Sequence, residues 1–249
     1  MITAPKKKAK KKAAAKKKSA KKKATNRIAK ATNGGGTATK KKAATQKKLK
    51  PIEVEYISFR ILGTTPLIQH KWSEKALEQM RLKQQEGKKT RSRDKRVPEQ
   101  EFEEATYRTA KGECGIPLLA IKSAIIGAAH KDIGIEKTLV KKALFIPSDD
   151  PLGVLPIKYK HRVMREDPVR VGQGSADLRY RPEFSKGWTC EITAEVDTEL
   201  LQVDDLINLV DRAGFGVGIG EWRPEKEGEF GRFRVDSRFS VKIHRKPPK

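Results

Sequence analysis

The sequence predicts an α+β fold, a four-stranded antiparallel sheet with two helices on one face, preceded by a disordered basic N-terminal tail. Three observations predict it. Apolar and polar residues alternate in residues 52–62 and 188–196, the period of a half-buried strand. Apolar residues recur at i, i+3, i+4 and i+7 in residues 118–130 and 203–213, the period of helices that cover a sheet. Residues 1–50 hold twenty Lys or Arg and no Asp or Glu, with Met1, Ile2, Ile28 and Leu49 the only large apolar side chains. Such a stretch cannot bury enough surface to offset the entropy of ordering it.

The tail repeats lysine blocks spaced by alanine (Lys6–Lys8, Lys16–Lys18, Lys21–Lys23), then passes Gly34–Gly36 to Lys40–Lys42. Lysine blocks release counterions from a polyphosphate but do not read bases, so their contribution is non-specific, salt-sensitive and open to duplex as well as single strands. The composition is similar to that of histone-like tails; a solubilising or localisation segment is the alternative. The whole chain carries +25, and the 36 basic and 31 acidic residues of 51–249 leave that part a net charge of about +5. Residues 1–50 are therefore read as the tail, and 51–249 as the folded domain.

Within the domain, Ile52, Val54 and Tyr56 alternate against Glu53 and Glu55. Ile57, Phe59, Ile61 and Leu62 then make the strand apolar on both faces, as a central strand is. Ser73 is placed to cap a helix from Glu74 to about Gln85 that carries Leu77 and Met80 on one side. A polar insertion at about 83–108 follows. Its basic half holds Lys88, Lys89, Arg91, Arg93 and Arg96, within reach of a phosphate backbone, or neutralised by the acidic run from Glu99 to Glu104. Gly115-Ile-Pro117 opens a helix with a narrow face of Ile121, Ala124, Ile125 and Ala128, with Lys122 near its start. Leu144–Ile146 and Val154–Val163 are strand candidates, and Arg165–Arg181 reads as a second polar loop. In the strand at 188–196, Trp188, Cys190, Ile192, Ala194 and Val196 share a face. The next helix buries Leu206, Leu209, Val210 and Ala213. The last strand, Phe230–Ile243, alternates Phe233, Val235, Phe239, Val241 and Ile243 with Arg232, Arg234, Asp236, Arg238 and Lys242, one face oily and the other cationic. Strand, helix, strand, strand, helix, strand is the order of the ferredoxin-like or RRM-like plan, in which one sheet face stays free to bind.

Between that helix and that strand lies AGFGVGIGEWRPEKEGEFGRFR, Ala213–Arg234. Gly214, Gly216, Gly218 and Gly220 fall on alternate positions, with Trp222, Arg223, Phe230 and Arg232 after them. In an extended chain, alternate glycines leave one face without side chains, against which a second backbone can lie. The alternative is a helix C-cap glycine followed by a flexible hairpin.

The first strand with its turn (ISFRILGTTPL), the helix opening at Gly115-Ile-Pro and the GFGVGIGEWRP…GEFGRF stretch together resemble the repeat-associated mysterious protein (RAMP) superfamily. They look most like the branch holding the backbone subunits of CRISPR effector complexes. The resemblance implies an RRM-like fold, RNA contact by the glycine loop and sheet face, and self-association along a strand. It implies loop contacts from Gly214, Gly216, Gly218, Gly220, Trp222 and Arg223, with Lys122 near the strand path. The lysine tail lies outside the family pattern and suits a phage or viral nucleic-acid binder using the same fold.

Cys114 and Cys190 form no CxxC arrangement, and no run of about 18 apolar residues exists to span a membrane. The setting expected is reducing and intracellular, cytoplasmic or nucleoid-associated. His70, His130, His161 and His244 form no recognisable pair or triad; His70, which follows the first strand, is the nearest to where a ribonuclease relative would carry its histidine, and a surface histidine beside Lys71 is the commoner reading. GFGVGIGE lacks the Lys-Ser/Thr of a phosphate-binding loop and follows a helix rather than opening one. Asp149, Asp150, Glu166 and Asp167 read as solvated loop acids rather than metal ligands. The expectation is a non-catalytic protein without metal or cofactor that binds single-stranded RNA or DNA with little sequence preference. The cationic residues of the last strand (Arg232, Arg234, Arg238) would hold phosphates, with Trp222 and Phe230 available for stacking. A nucleoid-type packaging protein acting through its tail, or a metal-independent endoribonuclease of the same superfamily, is the alternative.

Overall fold

A computed structural model describes residues 50–86, 96–171 and 175–247. The tail and the predicted contacts Lys88, Lys89, Arg91 and Arg93 lie outside the described residues. The first elements are β1 (Val54–Gly63), β2 (Leu67–Ile68), α1 (Glu74–Glu86), α2 (Pro98–Glu104) and β3 (Gly115–Pro117). Next come α3 (Leu118–Ala128), α4 (Lys137–Ala143), β4 (Leu144–Phe145), β5 (Val154–Lys158), β6 (Arg162–Val171) and β7 (Ser175–Phe184). The chain continues through β8 (Thr189–Asp197), α5 (Val203–Arg212), β9 (Phe233–Val235) and β10 (Lys242–His244).

The architecture is mixed α+β with antiparallel sheets. β1 and β8 pair along their length, from Val54 opposite Asp197 to Leu62 opposite Thr189. Period-two burial follows from the sequence: Ile57, Phe59 and Ile61 meet Cys190, Ile192, Ala194 and Val196 in the core, and Ser58 bonds Thr193 on the other face (Oγ to Oγ1, 3.0 Å). α3 and α5 belong to the same core through Ile121, Ala124 and Ile125, and through Leu206, Leu209 and Val210. Burying an isoleucine such as Ile121 or Ile125 completely is worth about 2 kcal/mol. Trp188 is fully buried; its indole donates to the Thr65 carbonyl at 3.0 Å and lies where a Cβ on Gly63 would come within 2.1 Å.

Instead of four continuous strands, seven make the first sheet among the described residues. β9 and β10 share the outer edge of β1, β4 and β5 share that of β8, and β3 lies beyond β5. A separate three-stranded sheet runs β2-β7-β6. Three expectations are corrected. The predicted strand 154–163 is broken between β5 and β6. Residues 165–181 form most of a β6–β7 hairpin rather than a polar loop. The predicted strand 230–243 is divided between β9 and β10 by a turn at Asp236, whose 1% exposed carboxylate binds Arg60 at 2.8 Å and Arg238 at 3.0 Å. Within the insertion, α2 starts on Pro98, whose missing N–H costs nothing at a helix start. Ser73 caps α1 by accepting from the Ala76 N–H at 3.2 Å, while Leu77 and Met80 stay exposed.

Candidate nucleic-acid interface

The glycine stretch is built against the protein's own backbone. Ala213–Val217 is a π-helical turn that prolongs α5, and the Gly218 N–H closes it on the Ala213 carbonyl at 2.8 Å. Alternation of Gly214 and Gly216 is therefore helical, not extended. A Cβ on Gly214 would lie 1.9 Å from the Phe233 carbonyl oxygen, and one on Gly231 1.7 Å from that of Ile219. Gly220, at φ +78, would meet the Ile68 carbonyl at 2.3 Å, and Gly218, at φ +69, the Pro224 ring at 2.7 Å. The second backbone expected against these glycines is present, and it belongs to β2, β9 and the returning loop: Glu221 N–H donates to Ile68 O, and Gly231 N–H to Pro66 O. Gly216 alone among the four alternating glycines faces open space.

That opening belongs to Phe215. Its ring is 71% exposed, flanked by glycines that offer it no neighbouring side chain, and the Arg232 guanidinium lies 4.9 Å from its centroid. Thr64, Thr65, Arg232 and Arg234 line a groove of about 370 Å³ at which Phe215 stands. Asp211 borders it too, but its carboxylate is occupied by the Val235 N–H at 2.6 Å. Arg232 is fixed by its backbone N–H, which donates to Thr65 Oγ1 at 2.9 Å, and its Nε is buried without an acceptor among the described residues. Glu229 approaches its Nη1 at 3.7 Å. Arg234 is exposed and has no ion pair among the described residues. An aromatic face beside two guanidiniums and two hydroxyls suits a base on the ring and phosphates on the arginines.

Other predicted residues lie apart from this groove. Arg223 spends its guanidinium on Glu225 (2.7 Å) and the Gly220 carbonyl (3.2 Å), holding the loop's shape. Trp222 is 45% exposed in the left-handed region at φ +54, which is costly for a bulky residue. Phe230 lies under the Arg165 guanidinium at 4.9 Å. Lys122 lies over the Phe145 ring at 4.2 Å and does not line the groove. Arg96 is held by Glu101 at 2.6 Å and by Asp177; the hydrogen bond to Glu101, with Asp177 adding to it, raises its pKa further above the usual arginine value. Arg238 reaches outward yet is paired with Asp236; bonds from Arg238 and then Arg60 hold that carboxyl down to about 2.

The open face of the sheet is mixed rather than uniformly cationic. Arg60 lies opposite Glu191 and Tyr56 opposite Glu195, and Glu191 is paired with Lys158 at 3.3 Å. Cations gather at the β9–β10 edge, where Arg234, Arg238 and Lys242 stand. Sequence reasoning passed over Phe215, Thr64 and Thr65. The signal for Phe215 was its place between two glycines.

Among the described residues, no group of three or more His, Cys, Asp or Glu could hold a metal ion, and no helix is long and apolar enough to cross a membrane. The sequence matches no family model, and no curated protein matches it. Among solved structures, Cmr6 from Pyrococcus furiosus is similar at 10% identity, over 74% of this chain and 98% of that chain, with a TM-score of 0.38, too low to bear on function.

Proposed function

We propose that this chain binds single-stranded nucleic acid, RNA or DNA, without cleaving it and with little sequence preference. The observation that carries the reading is the exposed Phe215 ring, backed by Arg232 beside the groove of Thr64, Thr65 and Arg234. A base stacks on Phe215 while adjacent phosphates meet Arg232 and Arg234; every base has a π-face, so such a site is sequence-tolerant. The lysine tail adds non-specific affinity, for duplex as well as single strands. The strand order, with β9 and β10 jointly beside β1 and β4 and β5 jointly beside β8, supports reading the sheet as a ferredoxin-like plan with interrupted edges, and with it a relationship to the RAMP superfamily. Self-association along the bound strand belongs to the same reading, since the short edge segments leave backbone groups unpaired.

The test is fluorescence anisotropy with labelled single-stranded oligonucleotides and a Phe215→Ala chain. Loss of one stacked base weakens binding about tenfold, and Phe215→Trp retains it. Unchanged affinity in Phe215→Ala would place binding elsewhere, with the tail of a nucleoid-type packaging protein the first candidate.

A further inference from the structure

Beyond the groove, β2 leads to His70, where three parts of the fold meet. From β7, Arg179 Nη1 lies 3.4 Å from His70 Nδ1; from the glycine stretch, Glu221 Oε1 lies 3.9 Å from the same nitrogen. A guanidinium only donates, so Nδ1 accepts and the ring proton sits on Nε2. Behind them Arg181, 1% exposed, gives Nη2 to Asp167 at 2.6 Å and Nη1 to Glu221 Oε2 at 3.4 Å, while its Nε reaches no acceptor among the described residues. Tyr107 faces Glu221 from the segment after α2, and its phenol is raised by burial and by that carboxylate.

The charges around His70 are unequally satisfied. Glu221 is balanced by Arg181, and Asp167 by Arg181 and Arg165. Arg179 differs: among the described residues it has no carboxylate in ion-pair range, and its side-chain partner is an imidazole. Burial, then the Arg179 charge, lowers the His70 pKa against the opposing pull of Glu221 and so favours the neutral ring. A half-buried guanidinium facing a neutral imidazole is a donor set that lacks its anion.

We propose that Arg179 and His70 form an oxyanion site that takes a phosphate group. Two phosphate oxygens accept from the guanidinium, which turns from Nδ1 towards the phosphate, and a third accepts from the imidazole Nε2–H; the freed Nδ1 then takes a proton beside Glu221 Oε1, 3.9 Å away. Binding then takes up a proton at His70, so affinity rises as pH falls, and bound phosphate raises the His70 pKa by the same linkage. The groups facing the ring are Arg179 and Arg181 from β7, Glu221 from the glycine stretch and Tyr107, with Asp167 of β6 behind Arg181. The phosphate comes either from a free anion or from the backbone of a bound strand; the second source rests on the nucleic-acid reading above, and the first does not.

The experiment follows the His70 ring signals of the full chain by ¹H–¹⁵N NMR, assigned with His70→Gln, at constant ionic strength. Inorganic phosphate, and not chloride, is expected to raise the His70 pKa while His130 stays unmoved. Arg179→Gln should weaken phosphate binding about tenfold, with His130 and far-UV circular dichroism reporting an intact fold. Glu221→Gln, which removes a nearby negative charge, should tighten it. A single-stranded oligonucleotide that reproduces the His70 shift identifies a backbone phosphate; a response to phosphate alone identifies a free anion. Silence of His70 towards both overturns the site. Phe215→Ala leaves the phosphate response intact, so failure of the groove and failure of this site read out separately.

Discussion

At Asp236 a carboxylate that is 1% exposed accepts from the Arg238 N–H at 3.1 Å, from Arg238 Nε at 3.0 Å and from Arg60 Nε at 3.0 Å. These bonds bend the chain between β9 and β10 and remove two arginines from the pool available to a ligand. Asp236→Ala leaves Arg60 and the turn without their acceptor, at a cost of about 2 kcal/mol, read as a lower denaturant midpoint with an unchanged m-value. Because the folded carboxyl titrates at about 2, below its ordinary value of 3.8, its contribution is fully present above pH 4. It is lost as pH falls through about 2. Acid unfolding of the wild-type chain should therefore include a component between those values that Asp236→Asn lacks. Phe215 and Asp236 divide the work at this scale: the first faces solvent with a cation beneath it, while the second consumes cations to make structure.

Among the elements, the glycine stretch and the β6–β7 hairpin show where period-based reading succeeds and stops. β8, α3 and α5 were legible because each buries one face of a regular period, and Cys190, Ile121 and Leu206 lie where that period puts them; β1 was found as a strand, but it buries Ile57, Phe59 and Ile61, out of step with Ile52, Val54 and Tyr56, and its other face carries Ser58 and Arg60 rather than an apolar run. The hairpin was not. Its ladder sets Arg165 opposite Arg181 and Asp167 opposite Arg179, and its order comes from buried ion pairs that no hydrophobic pattern registers. Asp167→Ala, which leaves the buried Arg181 only the longer contact to Glu221 at 3.4 Å, should cost about 3 kcal/mol and expose the hairpin to proteolysis; an unchanged protease pattern would mean that Glu221 suffices as its partner. Glycine spacing was read as an extended chain, because sequence does not distinguish a π-helical turn from a strand when side chains are absent. Replacement separates the positions: Gly216→Ala, with nothing within 4 Å, should leave thermal stability within about 0.5 kcal/mol of wild type. Gly220→Ala meets the Ile68 carbonyl at a positive φ and should cost at least about 2 kcal/mol. If both were neutral, the loop would not be packed as described.

For the whole molecule, the charge distribution separates two contributions to binding. Residues 1–50 supply twenty of the chain's 56 basic residues, whereas residues 51–249 carry 36 basic side chains against 31 acidic ones, many of them paired. Counterion release gives log K a slope of about −0.7 against log salt for each phosphate neutralised on a single strand, so the tail dominates the salt dependence of the full chain. Stacking on Phe215 contributes a part that salt does not screen. Removing residues 1–50 should flatten the salt slope by several such contacts and abolish duplex binding at physiological salt. Single-strand binding should persist with a slope of about −1 to −2, the share of Arg232 and Arg234. That residual must be sensitive to Phe215→Ala, because the aromatic and the two arginines border the same groove. Were single- and double-strand affinity to vanish together with the tail, the charge of residues 1–50 would be the whole of the interaction, and the groove would serve some other ligand.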